Sequence, residues 1–413
     1  AKGKIKGEYL LTISYDSERE TPEQGNGLFG TIDPNKYYTL YGDATTVRYD
    51  APSTEKLYFR IESDNFYAMF GDYNTDLTVT ELGRYSRSLT GLKTEYRDKK
   101  ISVTAFATQT EQAFIKDELR GDGTAGMYRL SRQNIVLNSE KITIETRDRF
   151  QSQVVLESQL LSRYIDYTFD PVDGTIYFRE PIYNRDENFN PNYIVVDYEV
   201  NSGGDETLTA GGRVAFKPSD TGPELGATII HEGTPGAEAN LLAADATYDL
   251  NRNTTLKAEI ATTRRETSTG DSDGSAFIAE VITRTNKLDG TAYIRRQDGE
   301  FGLGQQQGSE TGTQKIGAGG SYQLRKDTSI KADVFRHENL GTDATRDVAE
   351  SSVEFKRNNY TFSTGLRFAR DEDSAGNTNE SGLLTGSARS AFMNEDRKLN
   401  TTAEDDVNQA ENP

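Results

Sequence analysis

Strict alternation of apolar and polar residues constrains this chain more than any other feature. Residues 248–260 read YDLNRNTTLKAEI, with Tyr248, Leu250, Leu256 and Ile260 in one phase and polar residues between them. Successive side chains on a strand point to opposite faces, so a period of two predicts a strand with one apolar and one polar face. The central NRNT supplies residues that favour a tight turn. The stretch therefore predicts a β-hairpin.

The same pattern recurs about every 35 residues along the chain. Further hairpins are predicted at 56–72, 91–107, 277–294, 321–335, 352–368 and 383–400. The connections between hairpins are longer and rich in Gly, Ser, Thr and Asp, and they span 264–275, 295–314, 336–347 and 370–382. Alternate connections of an antiparallel meander lie at opposite ends of the sheet, so short turns collect at one end and long loops at the other. This asymmetry is typical of outer-membrane β-barrels, and a β-sandwich gives no reason for it.

The two faces of these strands differ in a way that favours lipid over a protein core. The apolar face carries many small residues, among them Ala244, Ala258 and Ala332, which would fill a protein core poorly but suit contact with lipid. The residues predicted to face a watery lumen are Asp245, Asp249, Lys257, Glu259, Lys331 and Asp333. We therefore expect an all-β fold, a transmembrane antiparallel β-barrel built as a meander of about 16 to 20 strands.

Two rows of side chains mark the expected membrane boundaries. Tyrosines on the apolar face lie close to the short turns, where an interfacial aromatic girdle is expected, and they are Tyr96, Tyr248, Tyr322 and Tyr360. Arginines stand where strands enter the long loops, level with outer-leaflet phosphates, which a guanidinium binds as a planar fork. They are Arg264, Arg265, Arg295, Arg296, Arg336 and Arg370. Sandwich edge packing would also explain the tyrosines, and strand-end solubility would also explain the arginines.

Residues 109–193 break the hairpin rhythm. Several short strands, with a turn at 170–174, predict a small inserted β-rich domain that is too long for an ordinary loop. If 194–200 is a wall strand, the insert has to cross from one end of the barrel to the other, through the lumen or by adding an odd strand to the wall. The expected domains are first barrel hairpins over 1–108, a plug or cap domain over 109–193, remaining hairpins over 194–398, and a polar tail or truncated strand over 399–413.

The composition excludes several classes of function. A formal charge of -19 argues against nucleic acid as a partner, since phosphate binding needs clustered Lys and Arg. The chain has no Cys, and its two histidines, His231 and His337, stand at polar strand ends typical of surface positions. Nucleophile, phosphate-binding and zinc motifs are absent, and Asp271 and Asp273 lack the spacing of a calcium loop. We therefore expect no enzymatic activity, no cofactor and no metal.

The first half of the chain resembles a known class of membrane protein. Residues 37–96, 121–149, 166–178 and 193–199 are similar to large outer-membrane β-barrel surface proteins of Gram-negative bacteria, some of which are fused to repeat domains or an OmpA-like peptidoglycan-binding domain. The resemblance covers about residues 30–216. It implies a location in the outer membrane and a barrel architecture, and it supplies no catalytic residues. The final TTAEDDVNQAENP lacks the terminal aromatic strand usual in barrels, which is expected of a piece of a longer protein.

These features predict a non-catalytic outer-membrane barrel that acts as a pore, a plugged conduit or an envelope surface scaffold. The expected partners are outer-membrane lipid and lipopolysaccharide, together with other envelope proteins or peptidoglycan through further domains. A secreted or cell-surface multi-domain β-sandwich adhesin is the alternative. The two differ in that a sandwich stays folded and monomeric without detergent, whereas a barrel with a lipid-facing surface does not.

Overall fold

The computed structural model describes most of the chain beyond residue 56 and two short segments before it. The described residues are 2–5, 8–15, 57–136, 139–149, 151–186, 189–201, 206–219, 221–234, 237–267, 270–306, 308, 310–357, 360–391 and 398–406. Residues 37–56 of the resemblance and the predicted turn residues 394–397 lie outside these ranges. Within the same ranges, no helix is long and apolar enough to cross a membrane.

The described ranges form 25 strands. In chain order they are β1 (Lys2–Ile5), β2 (Tyr9–Tyr15), β3 (Leu57–Ser63), β4 (Phe66–Asn74), β5 (Ser88–Arg97), β6 (Ile101–Thr110), β7 (Gln112–Arg120), β8 (Tyr128–Arg129), β9 (Lys141–Arg147), β10 (Val155–Leu160), β11 (Tyr167–Asp170), β12 (Thr175–Phe178), β13 (Asn192–Asn201), β14 (Thr207–Phe216), β15 (Glu224–Thr234), β16 (Ala237–Asn251), β17 (Thr254–Thr267), β18 (Gly270–Arg284), β19 (Leu288–Gln297), β20 (Thr313–Arg325), β21 (Thr328–Asn339), β22 (Thr345–Arg357), β23 (Tyr360–Glu372), β24 (Thr378–Ala391) and β25 (Lys398–Asp406).

One antiparallel sheet of 18 strands, β1 to β6 followed by β14 to β25, forms a wall. Each of these strands pairs with the next along the chain, and β6 pairs directly with β14. The connection between β4 and β5 contacts β15, β17 and β19 through their inner side chains. Neighbouring strands lie about 4.8 Å apart, so one connection reaches strands this distant in the sheet only if the sheet curls around it. The wall is therefore a β-barrel, as the alternating pattern predicted.

Side chains of the wall alternate between the outside and the inside of the barrel. In the hairpin of β16 and β17, Tyr248 pairs with Leu256 on the outer face, where Ile260 is also exposed. Leu241 and Ala261 point inward and are buried. This hairpin turns at residues 252–253, and β3–β4, β18–β19 and β20–β21 turn at the same end of the barrel, which we call the turn end.

The opposite end, which we call the loop end, differs from the prediction. Three of the four expected long loops are mostly strand: β17 and β18 extend to Thr267 and Gly270, and the loops after β21 and β23 span 340–344 and 373–377. Near the loop end both faces of the sheet carry polar residues. This polarity favoured the prediction of loops, but the backbone hydrogen bonds between the strands continue there. The expected loop at 295–314 is real and spans 298–312.

Strands β7 to β13 form the insert, a separate β-rich domain. One sheet has the order β10-β9-β13-β7 and a second the order β11-β12-β8. Among the described residues, its core contains no wall residue and comprises Tyr128, Leu130, Ile135, Ile142, Tyr167, Phe169, Ile176, Phe178, Ile194, Val196 and Tyr198. An independent core of this kind is what defines a domain.

The predicted boundary of the insert at residue 193 was wrong. Strand β13 (192–201) pairs with β7 and β9 inside the insert, so it adds nothing to the wall. Thr207 at the start of β14 lies opposite Thr110 at the end of β6, so the chain leaves and returns at the loop end. The expected crossing to the other end of the barrel is therefore also wrong, because the strand count had included β13.

Candidate functional site in the barrel lumen

Two connections fold into the barrel from the loop end, and we call them the collar. They are residues 75–87 between β4 and β5 and residues 298–312 between β19 and β20. Leu82 and Tyr85 of the first segment and Phe301 and Leu303 of the second are buried in one apolar cluster with inner wall residues. The wall residues on β15 to β18 in this cluster are Ile230, Ala239, Leu241, Ala243, Ala261, Ala276 and Ile278. The small side chains leave room for the collar, which therefore packs as part of the wall.

Polar contacts fix the first collar segment on the wall. The carboxylate of Glu259, which points inward from β17, accepts hydrogen bonds from the backbone N–H groups of Glu81 (2.9 Å) and Leu82 (2.8 Å). The Glu81 carboxylate in turn forms an ion pair with the inward-facing Arg295 of β19. Two backbone donors that would otherwise be unsatisfied inside the barrel are thus paired with a wall carboxylate.

The second collar segment contains GLGQQQG, in which Gln305 and Gln306 bind the backbone of the first segment. The Gln305 side-chain amide accepts from the backbone N–H of Ser86 (2.7 Å) and donates to its C=O (3.1 Å), as a neighbouring strand would. Gln306 donates to the C=O of Arg84 (2.6 Å). Amide side chains have both donor and acceptor, so a glutamine-rich loop can bind the backbone of another loop.

Arg87, at the end of the first collar segment, joins three parts of the molecule. Its fully buried guanidinium donates to Glu199 on β13 of the insert (Nε to Oε1, 2.8 Å) and pairs with Glu232 on the inner face of β15. The Tyr85 hydroxyl donates to the same Glu232 carboxylate (3.1 Å), and Arg87 also donates to the backbone oxygen of Gln112 (3.2 Å). One buried cation thus serves a carboxylate of the insert and a carboxylate of the wall.

A second set of polar contacts joins the turn between β9 and β10 to the opposite wall. The Lys315 ammonium on β20 donates to Ser152 Oγ (2.9 Å) and Gln153 Oε1 (3.0 Å), and Ser152 donates to Glu310 of the collar (2.9 Å). Gln153 also donates to the hydroxyl of Tyr293 on β19 (3.0 Å). These wall residues face inward, so the turn between β9 and β10 contacts the inner face of the wall.

Charge inside this site is compensated locally. Burial disfavours the ionised form of Glu310, but the charges of Lys315 and Arg295 outweigh that effect and hold the pKa of Glu310 below its usual range. Asp197, on β13 of the insert, has its pKa raised because burial outweighs the attraction of Lys116, Lys141 and Arg84. In the described part of the chain, no group of three or more His, Asp or Glu residues is arranged to hold a metal ion.

A cavity of about 620 Å³ lies between the tip of the insert and the inner wall. Asp148, Arg149 and Gln151 of the insert border it on one side. The wall residues that line it carry charges of both signs: Glu280, Lys331, Asp333, Glu350 and Arg367. Arg367 donates from two nitrogens to one Glu350 oxygen (2.8 and 2.7 Å). The lumen is therefore lined by polar and charged side chains where the insert ends.

All six residues predicted to face the lumen lie on inward-facing strand positions. They are Asp245, Asp249, Lys257, Glu259, Lys331 and Asp333. The structure brings Lys331 and Asp333 together at the cavity, places Glu259 on the collar and pairs Asp245 with Arg213 of β14 (2.8 Å). Asp249 and Lys257 lie apart from these groups, near the turn end. Their contribution to ion passage stays a prediction.

The four tyrosines predicted for the interfacial girdle face outward near the turn end. Tyr96, Tyr248, Tyr322 and Tyr360 are 38–47% exposed. Phe216 at the end of β14, also exposed, lies in the same row. These aromatic rings lie on outward-facing positions near the turn end, and their contact with a membrane interface stays a prediction.

The predicted arginine row is divided between the two faces of the wall. Arg264, Arg296, Arg336 and Arg370 face outward and are exposed, and each pairs with an acidic neighbour. Arg265 and Arg295 point inward, where Arg265 donates to the collar oxygen of Gly302 (3.1 Å) and Arg295 binds Glu81. The prediction for Arg265 and Arg295 was wrong, because neighbouring residues on a strand point to opposite faces.

The residues that connect the insert to the wall were missed by sequence reasoning. Glu232 was detectable, since it places an acid on the inward phase of a strand, but Arg87 and Glu199 have no local signal. Arg87 and Glu232 are 145 residues apart in the chain, and Arg87 and Glu199 are 112 residues apart. Only the three-dimensional pairing brings them together.

Comparisons with known proteins give structural similarity alone. No family model and no curated protein matches the sequence. The translocation pore of the P pilus usher PapC has a TM-score of 0.38 and 15% identity, covering 90% of this chain and 77% of that one. Pseudomonas aeruginosa OccK5 has a TM-score of 0.35 and 9% identity, covering 81% of both chains. Acinetobacter baumannii OccAB3 has a TM-score of 0.33 and 11% identity, covering 84% of this chain and 77% of that one. At TM-scores this low the similarities support no conclusion about function, and the fold rests on the strand pairing.

Proposed function

We propose that this chain is a plugged conduit of the Gram-negative outer membrane, in which the insert closes the lumen of a membrane-spanning barrel. One observation carries the proposal: the insert departs and returns between two directly paired wall strands and lies against inward-facing side chains. A loop domain placed in this way obstructs the passage without contributing to its wall. Its removal leaves every wall strand with its neighbours.

The outer surface supports the membrane-spanning part of the proposal. On β17 the outward residues from Leu256 to Thr262 are uncharged, and Arg264 is the first charged one. At about 3.3 Å per residue and a tilt of about 40°, the span from Leu256 to Arg264 is roughly 20 Å high, close to the apolar band of roughly 25 Å on such barrels. The outward residues of β21 and β23 follow the same rule and end at Arg336 and Arg370.

The inner surface supports a conduit for polar solutes. The lumen carries charged side chains of both signs, among them Glu280, Lys331 and Arg367, and the contacts between insert and wall are mostly polar. Polar groups released when the insert moves can be solvated by water entering the lumen. An apolar interface of the same size would resist opening.

Deletion of residues 112–201 with a short flexible linker tests the proposal in planar bilayers. We expect a steady ionic conductance, whereas the parent chain stays closed for most of the recording. The control carries the same linker in the 340–344 loop and keeps the insert. Both variants are first checked for heat-modifiable migration in gels, which reports barrel assembly. A deletion variant that assembles but conducts no better than the parent contradicts the conduit.

A surface scaffold is the second candidate, and exposed apolar residues on the insert favour it. Tyr164, Ile165 and Tyr183 are each about two-thirds exposed or more. Exposed aromatic and aliphatic side chains are common where one protein binds another. An assembled deletion variant without conductance would support this second function.

A further inference from the structure

We propose that Arg87 is a release latch. It binds one carboxylate of the insert and one of the wall while the insert is in place, and it keeps only the wall carboxylate when the insert leaves. This inference rests on the proposed function. The plug separates from the barrel at the interface between the collar and the insert, which we call the separation plane. The collar then remains with the barrel, and residues 112–201 move as a unit.

The position of the separation plane follows from the two apolar cores. The collar residues Leu82, Tyr85, Phe301 and Leu303 share a cluster with the wall, and this cluster contains no insert residue. The insert has a separate cluster without any collar or wall residue. Separation between collar and insert therefore leaves both described cores intact.

Contacts across this plane are mainly hydrogen bonds and ion pairs. They join Arg87 to Glu199 and Gln112, Lys315 to Ser152 and Gln153, and Tyr293 to Gln151 and Gln153. Water can replace each of them, so the net loss is far smaller than the strength of the contacts in a dry interior. The aromatic ring of Phe114 in the insert also lies close to Gly304 of the collar.

Arg87 has a carboxylate partner on each side of the plane, whereas Lys315 pairs with a carboxylate on the barrel side and with uncharged side chains of the insert. Glu199 belongs to the insert, whereas Glu232 belongs to the wall and also accepts a hydrogen bond from Tyr85. Two carboxylates, one on each side of the plane, share one guanidinium. When the insert departs with Glu199, Arg87 keeps Glu232, and neither charge on the wall side loses its counterion.

This arrangement predicts opposite effects for two isosteric substitutions at the same guanidinium. Glu199→Gln weakens the contact across the plane, and the open fraction in single-channel recordings should rise about tenfold or more. Glu232→Gln removes the competing wall carboxylate and leaves Arg87 to Glu199, so the open fraction should fall. Glu145→Gln is the matched control, since Glu145 pairs with Arg147 inside the insert and makes no contact with Arg87.

Single-channel recordings of the full-length variants in planar bilayers test these predictions, and heat-modifiable migration in gels checks that each variant has assembled. Shifts of the same sign for Glu199→Gln and Glu232→Gln, or no shift, overturn the latch. Because Glu232→Gln alters a wall strand and can fail to assemble, protease cleavage within 112–201 in assembled vesicles is the second measurement. Glu199→Gln should be cleaved faster than the parent, and an equal rate also overturns the latch. If the insert deletion conducts while these tests fail, the plug stands without the latch; a silent deletion rejects the plug itself.

Discussion

The wall and the insert are built from antiparallel strands of similar composition, but they distribute apolar side chains in opposite ways. In the wall, large apolar residues such as Ile229 and Ile260 face outward and are exposed, while many inward positions are small or polar and the larger ones, such as Leu241, are buried against the collar. In the insert, Ile142, Ile176 and Ile194 are fully buried in a closed core. The comparison teaches that a period of two in the sequence identifies a strand and its two faces. Whether a face contacts water, lipid or a protein core depends on what surrounds the sheet.

The largest effect expected from this comparison is a charge placed in the core of the insert. Ile194→Asp buries an unpaired carboxylate among apolar side chains, at a cost above about 4 kcal/mol that unfolds the insert. Rapid protease cleavage within 112–201 and increased conductance should follow, with heat-modifiable migration of the barrel retained. The control is Ile165→Asp, at a position that is 71% exposed. Loss of barrel assembly in Ile194→Asp would show that the two regions fold as one unit.

A charge on the outer face of the wall should have the next largest effect. Ile260→Lys places an ammonium group at mid-height of the apolar band, and we expect a loss of about 2–4 kcal/mol in the free energy of unfolding from lipid vesicles, measured in urea. Ser329→Lys adds the same charge on the inner face, opposite Glu354, and should change stability little. Equal effects of the two substitutions would argue that the outer face is not in contact with lipid.

Two adjacent isoleucines sharpen the comparison within a single strand. On β15, Ile230 is fully buried against the collar, while Ile229 is 64% exposed on the outer face. Ile230→Val removes a packed methylene and should cost about 0.5–1.5 kcal/mol, whereas Ile229→Val leaves no cavity and should cost less. Urea unfolding of both variants in the same vesicles measures the difference. A greater loss for Ile229→Val would mean that the barrel faces are assigned the wrong way round.

The smallest effect concerns Asp197 in the insert and depends on pH. Because burial raises its folded-state pKa, the protonated form is favoured by folding, and this contribution is complete below the ordinary pKa of Asp and lost as pH rises through the folded pKa. Asp197→Asn should therefore resist protease better than the parent at neutral pH, because the neutral amide has no buried charge. The two should converge below about pH 4, where both forms are neutral. A difference that persists in acid would contradict this account.

The regular part of the fold was readable from the sequence because each wall strand reports its own phase. The outward positions of Tyr248 and Tyr360 and the inward positions of Glu259 and Asp333 follow from alternation within single hairpins. The same rule, applied residue by residue, would have separated Arg264 from Arg265 and Arg295 from Arg296. Treating each pair as one row obscured the parity that the rest of the prediction used.

The site itself depends on contacts that no local pattern encodes. Strand β13 alternates like a wall strand, and only its pairing with β7 and β9 assigns it to the insert. The collar segment 298–312 has the composition of a solvated loop, and its contacts with the backbone groups of Ser86 and Arg84 arise only in the folded structure. The Arg87 cluster unites three separate parts of the chain. Such long-range choices are made by tertiary packing, which sequence periodicity does not contain.

The direct pairing of β6 with β14 also sets an order of events during biogenesis. The ladder from Thr110 opposite Thr207 to Ile101 opposite Phe216 can close only after the whole intervening domain has emerged and its ends have come together. Loop closure over so many residues is slow unless the segment is compact, and early folding of the insert shortens the distance between its ends. A plug that folds first would thus act as an intramolecular chaperone for the barrel, holding the edge of β6 ready for its next strand.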